Sequence, residues 1–292
     1  MSLKLDRIEL EDVGANPQRL AQAVLKQMSY IKGSIAIHEV AQALDIIEIQ
    51  IEKLTSFEGA LLTLPGRGYG SILVNAHSSP RRQRFTIAHE LGHFLNPLHR
   101  PTTAAGFRCT RGDMSVSSQK EMNRHLRQEA EANTFAIELL APRRRVKHFT
   151  RSDAELGNVL PMVTEFDISK EAAVRRYVEL HDDPLTVVFS KDNRVVYCVK
   201  GNDFPRLCLN SKDAIPDLLP THKTGNLTEM EEVDPIEWLA KPQSHCLSVQ
   251  TLYQQNNYAM TLLRLIVADE EDDPGFDDAF ERYSQFSHSD RD

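Results

Sequence analysis

The run Phe85-Thr86-Ile87-Ala88-His89-Glu90-Leu91-Gly92-His93 constrains this chain more than any other stretch. Continued through Phe94 and Leu95 it is a helix that is apolar nearly all round, and such a helix has to be buried. Yet it carries two histidines and a glutamate, which cannot enter a protein interior without partners. Positions i and i+4 of a helix share a face, so His89 and His93 can offer two imidazole nitrogens to one ion, with Glu90 on an adjacent face. The pattern H-E-x-x-H therefore suits a zinc-activated water held beside a carboxylate that can take its proton.

Catalytic zinc takes three protein ligands and keeps a position for water, and two residues compete for third place. Reading on from His89 gives H-E-x-x-H-x-x-N-x-x-H, with His99 where metzincin proteases place their third histidine. Those enzymes turn at a glycine, where this chain has Asn96, the next most tolerant of positive φ. Pro97 follows, and the later Met114 and Met122 sit in no evident methionine turn. The competitor is Glu129, on a separate helix over Leu126 to Leu140 that Ala141-Pro142 stops, the arrangement of gluzincin proteases. That helix has an apolar stripe of Ala132, Phe135, Ala136, Leu139 and Leu140, centred near Ala136. At about 100° per residue, Glu129 lies within about 20° of the stripe's centre and Glu131 about 140° away. Glu129 thus faces the core and needs a cation, Glu131 faces solvent, and helix phase favours Glu129 over His99. His99 is then a loop residue near the cleft. His125 and His99 are the candidates for stabilising an oxyanion, and Cys109 is either a thiol approaching the zinc or a plain loop residue.

Around this helix the chain reads as α+β. Asn16-Pro17 opens an amphipathic helix to Met28, and a second helix runs through Ile37 to Leu44. Ile46 to Glu52 alternates as a strand with one wet face, and Ala60–Leu64 and Ser71–Asn75 flank a Gly/Pro-rich turn as a hairpin. Ser79 and Pro80 start the histidine helix, Asn96-Pro97 ends it, and residues 100 to 120 read as a loop. Helices over Ala154 to Glu165 and from Ser169 to Leu180, with Arg175 and Arg176 on the second, outline a helix-turn-helix. The simpler reading is that this pair packs on the catalytic domain, since Asp153, Glu155, Glu165, Asp167, Glu171 and Glu179 offset its charge. The division is a zincin-like metallopeptidase domain at 1–150 built from a small sheet and the active-site helices, a helix-turn-helix-like pair at 151–182, a β-rich α+β domain at 183–268, and an acidic, mobile tail at 269–292.

Composition sets the remaining bounds. With 292 residues, 41% hydrophobic, the chain has ample core material, and a net charge of -8 argues against non-specific coating of nucleic acid. The cysteines at 109, 198, 208 and 246 form no C-x-x-C pair, so neither a thiolate metal site nor a disulfide framework is indicated. No signal peptide or membrane span is evident, and a soluble cytoplasmic protein is expected.

Arg84 to His93 together with Glu129-Ala130-Glu131-Ala132-Asn133-Thr134-Phe135-Ala136-Ile137-Glu138-Leu139-Leu140-Ala141-Pro142 resembles the ImmA/IrrE family of zinc metallopeptidases. The resemblance covers about residues 15 to 180. It implies one catalytic Zn2+ held by His89, His93 and Glu129, with Glu90 as base. It also implies an intracellular protease that cleaves helix-turn-helix repressors, in mobile elements or in the response to radiation and DNA damage. Some relatives carry a GAF-like sensor at the carboxy-terminal end. Direct DNA binding, or ligand sensing around a structural metal, is the competing expectation. The exposed edge for pairing an extended substrate is expected near Ile72 to Asn75.

Overall fold

A computed structural model describes residues 3–28, 31–64, 66–100, 107–109, 124–216, 224–242 and 246–266, with 107–109 as backbone alone. Met114, Met122 and the tail expected at 269–292 lie outside the described residues. The chain divides into two compact units, Met1–Asp182 and Asp183–Asp292.

The first unit opens with α1 (Arg7–Glu11), α2 (Pro17–Gln27) and α3 (Ile37–Ala43). In α2 the Asn16 side chain accepts from Arg19 N–H at 2.9 Å and Pro17 takes the first helical position, the start that the sequence pattern predicts. Next come β1 (Ile46–Glu52), β2 (Gly59–Thr63) and β3 (Gly70–Asn75), then α4 (Pro80–Leu95), β4 (Phe107–Cys109), α5 (Arg124–Leu140) and the single turn α6 (Arg143–Val146). These strands form one sheet in the order β1-β3-β2-β4. The hairpin β2–β3 is antiparallel as expected, with Leu61 opposite Ile72, while β1 pairs parallel to β3. Two expectations change. β3 is bonded on both sides, so Ile72 to Asn75 offer no free edge. Within the stretch read as a loop, Phe107–Cys109 adds to β2 as the last strand of the sheet among the described residues, which three residues without periodicity cannot announce. β1, the opposite edge, is wetter than its alternation suggests, with Ile47 66% and Ile51 48% exposed.

The helix pair forms α7 (Leu156–Glu165) and α8 (Lys170–Leu180), the latter capped by Ser169, whose side chain accepts from Ala172 N–H at 3.1 Å. Some of its polar groups pair with other elements of the unit. Arg81 and Arg84 of α4 both pair with Asp167 in the α7–α8 turn, at 3.1 and 3.2 Å. Arg176, 2% exposed, forms an ion pair with buried Glu138 of α5 and donates to the Ala141 carbonyl at 3.0 Å.

The second unit is a five-stranded antiparallel sheet, order β6-β5-β9-β8-β7, from β5 (Leu185–Lys191), β6 (Arg194–Lys200), β7 (Glu231–Val233), β8 (Cys246–Tyr253) and β9 (Tyr258–Ile266). Asp192 and Asn193, both at positive φ (50° and 57°), make the β5–β6 turn, a conformation that these residues tolerate well. One core gathers Val188, Val195, Leu247, Leu263 and Leu265 of the sheet under Phe204, Ile215, Trp238 and Leu239 of the connecting segments.

Breaking the Glu138–Arg176 pair from one side should expose how far α8 braces α5. Removing one partner of a buried ion pair costs about 3–5 kcal/mol, because the other charge stays buried. Arg176→Met should therefore lower the denaturation midpoint strongly, and adding Glu138→Gln should recover part of the loss in urea unfolding.

Candidate metal centre

α4 and α5 converge because nothing larger than hydrogen stands between them. A Cβ at Gly92 would lie 3.0 Å from Phe135 Cδ1 and 3.3 Å from Ala132 Cα. The approach brings the His89–His93 face of α4 against Glu129. His89 Nε2 and His93 Nε2 lie 3.1 Å apart, and each is 3.2 Å from a different Glu129 carboxylate oxygen. All three residues are buried, at 0%, 0% and 1% exposure. Helix phase thus places Glu129 with the histidines, as the sequence predicts.

The spacing is that of a metal's ligand face. Bonds of zinc length to nitrogen and carboxylate oxygen, set tetrahedrally, hold donor atoms about 3.3 Å from one another. Two imidazole nitrogens and a carboxylate that converge at this spacing need a proton or a metal cation between them. Among the described residues, His89, His93 and Glu129 are the group of three able to hold a metal ion. His89 is oriented for this from behind: its Nδ1–H donates to Asn133 Oδ1 at 3.0 Å, so once the ring is neutral Nε2 is the nitrogen that turns a lone pair to the triangle.

Electrostatics follow burial and pairing. Burial is the largest influence on Glu129 and would raise its pKa, but hydrogen bonds and charge from His89 and His93 hold it well below the carboxylate range. Burial pushes His93 down to about 4, outweighing the hydrogen bond that its charged form would give to Glu129. At His89 burial again opposes charge, yet the hydrogen bond and charge of Glu129, with Glu90 behind, keep its pKa above the usual value. A neutral His93 and an ionised Glu129 are the forms that bind metal.

The other candidates are spread around this triangle. Glu90, fully buried, sits where a Cβ on Gly59 of β2 would come within 2.8 Å of its Oε1 and 2.3 Å of Thr86 Cγ2, so the sheet presses directly on it. His125, one turn before Glu129, brings Nδ1 to 3.6 Å from Glu129 Oε1 while its side chain stays 37% exposed at the rim. His99 lies on the far side of His93, with Nδ1 2.9 Å from His93 Nδ1, and does not join the triangle. Asn96 is extended (φ -75°, ψ 113°), so the left-handed turn that would bring His99 round is not made. Glu131 is not simply solvated as its phase suggests: 20% exposed, it contacts His99 Nε2 at 3.0 Å and Arg127 at 2.7 Å. Of Cys109 only the strand position is described.

One supporting residue escapes sequence reasoning. Arg67, at φ 50° in the β2–β3 turn, donates to the carbonyls of His93 and Phe94 at 3.0 and 3.2 Å, and to those of Asn96 and His99. It satisfies the carbonyls that the end of α4 leaves open, beside the second histidine. The Gly66-Arg67-Gly68 run was its trace, but it reads equally well as an ordinary turn.

Residues 45–177 match the Peptidase M78 family, described as the IrrE N-terminal-like domain, in agreement with the resemblance seen in the motifs. No curated protein matches the chain. A solved structure described as a Mycobacterium tuberculosis transcriptional regulator is similar at 11% identity and a TM-score of 0.49, over 88% of this chain and 90% of that one.

The triangle makes a direct prediction about metal content. Purified protein should hold one divalent ion per chain by elemental analysis, and His89→Ala, His93→Ala and Glu129→Ala should each lose it. Retention by Glu129→Ala would remove Glu129 from the site.

Proposed function

We propose that this chain, whose residues 45–177 form an IrrE N-terminal-like domain of the Peptidase M78 family, is a zinc-dependent endopeptidase acting on a specific protein. The observation that carries the reading is the buried triangle of His89, His93 and Glu129 with the Glu90 carboxylate beside it. Two imidazoles, neutral when they bind metal, and one carboxylate are a donor set suited to zinc, which in catalytic sites keeps a fourth position for water. Zinc held there supplies Lewis-acid polarisation of the scissile carbonyl and a water whose pKa is drawn toward about 7.

The chain's own residues do the rest. Glu90, kept out of solvent between Gly59 and Thr86, accepts the water's proton and passes it to the leaving amine. His125, whose Nδ1 is 3.6 Å from Glu129 Oε1 at the rim, is the proposed donor to the carbonyl oxygen as charge develops on it. Among the described residues β4 is the last strand of its sheet, and an extended substrate is proposed to add there. It pairs with β2 through Cys109 opposite Gly59, so a segment added to its outer side would lie two strand spacings, about 9.6 Å, from the strand that touches Glu90. The substrate suggested by the family resemblance is a helix-turn-helix repressor.

A regulator that binds DNA through α7 and α8 is the second reading. It is disfavoured because Arg175 is paired with Glu171 at 2.9 Å, Arg176 is buried on Glu138, and the intervening turn is engaged by α4. Incubation with the repressors encoded near its gene separates the readings. The native chain should yield a cleavage product, and Glu90→Gln, with unchanged zinc content, should cleave at least about 100-fold more slowly. Equal cleavage by both proteins, or cleavage of no neighbouring repressor, counts against the protease.

A further inference from the structure

His99 occupies the position at which another protease clan places a ligand, yet its ring meets the wrong nitrogen of His93 for that role. Two imidazole nitrogens 2.9 Å apart make a hydrogen bond only if one carries the hydrogen and the other a lone pair. The far side of His99 decides which. Its Nε2 is 3.0 Å from Glu131 Oε2, and a carboxylate oxygen accepts, so the hydrogen of the neutral ring sits on Nε2. His99 Nδ1 is then the acceptor and His93 Nδ1 the donor. The one remaining nitrogen of His93, Nε2, is left bare and points at Glu129.

The surroundings support this arrangement with further hydrogen bonds. Glu131 is fixed by Arg127 Nε at 2.7 Å and by Asn96 Nδ2 at 3.4 Å. The backbone of His99 is gripped by Arg67, and its neighbour Arg100 exchanges two hydrogen bonds with Gln128 of α5, at 2.6 and 3.1 Å. The side chain is 1% exposed. Its orientation is therefore built from both metal-bearing helices and from the β2–β3 turn.

We propose that His99, anchored by Glu131, is a positioning residue that fixes the proton of His93 on Nδ1 and so presents Nε2 to the metal. It does for His93 what Asn133 does for His89. This rests on the metal-site reading above. The chain departs from a simple carboxylate partner by placing a second imidazole between the ligand and the acid.

The test is zinc affinity of the full-length protein, stripped and titrated against a chromophoric chelator, with the visible spectrum of the Co2+ form as a second readout. His99→Leu should weaken zinc binding about 10–100-fold, the usual effect of losing such a partner. His99→Asn, which puts an amide oxygen where Nδ1 was, should recover most of the affinity and a native-like Co2+ spectrum. His99→Gln, whose amide mimics Nε2 instead, should not. Should leucine prevent folding, the Asn and Gln variants carry the comparison alone. Glu131→Gln should show a smaller loss, because its amide oxygen can still accept. Wild-type affinity in His99→Leu, or equal weakening in Asn and Gln variants, overturns the positioning role while leaving the metal site intact. A wild-type chain that binds no zinc overturns the metal site itself, and this inference with it.

Discussion

Helices α4 and α5 meet where Gly92 lies against Phe135 and Ala132, and a side chain there would hold them apart. That contact puts three polar groups in a place that excludes water almost completely. Burial of two imidazoles and a carboxylate opposes folding unless their lone pairs meet a cation. Much of the first unit supports this meeting. Arg67 closes the carbonyl end of α4, Asn133 and His99 take up the outer nitrogens of the two histidines, and Arg176 pins α5 through Glu138. Substitutions that loosen any of these are expected to act on metal affinity as much as on stability.

Much of this was legible in the chain because it follows from local periodicity. The i, i+4 histidines in an apolar helix required a partner, and the phase of the stripe around Ala136 selected Glu129 over Glu131. Caps at Asn16, Ser79 and Ser169 marked three helix starts where the structure has them. What escaped was set by contacts between segments distant in sequence. Strand order is one case: the hairpin β2–β3 could be read, but not that β1 would close β3 from the other side. Glu131 is another. Its angular position was read correctly, but the 96–100 segment folds over that flank and supplies His99 as a partner. His99 itself was singled out at a sensible distance from His93, though the chain brings it to the opposite ring nitrogen.

The charges of the helix pair are largely engaged within the first unit. Two arginines on a second helix suggest a nucleic-acid surface, but Arg176 is consumed in the interior and Arg175 by Glu171 one turn away. α8 is tied to α5 through Arg176 and Glu138. In the second unit, the antiparallel sheet and its Trp238-centred core form an independent hydrophobic cluster. Among the described residues no helix is long and apolar enough to cross a membrane.

The central claim is that His89, His93 and Glu129 hold one metal ion while His99 stands behind His93. Anomalous diffraction at the zinc edge from crystals of the zinc-loaded protein tests it most directly. The account predicts a single peak about 2.0–2.2 Å from His89 Nε2, His93 Nε2 and a Glu129 oxygen, with His99 Nδ1 still bonded to His93. A peak ligated by His99 in place of Glu129, or no peak between the two helices, would contradict it.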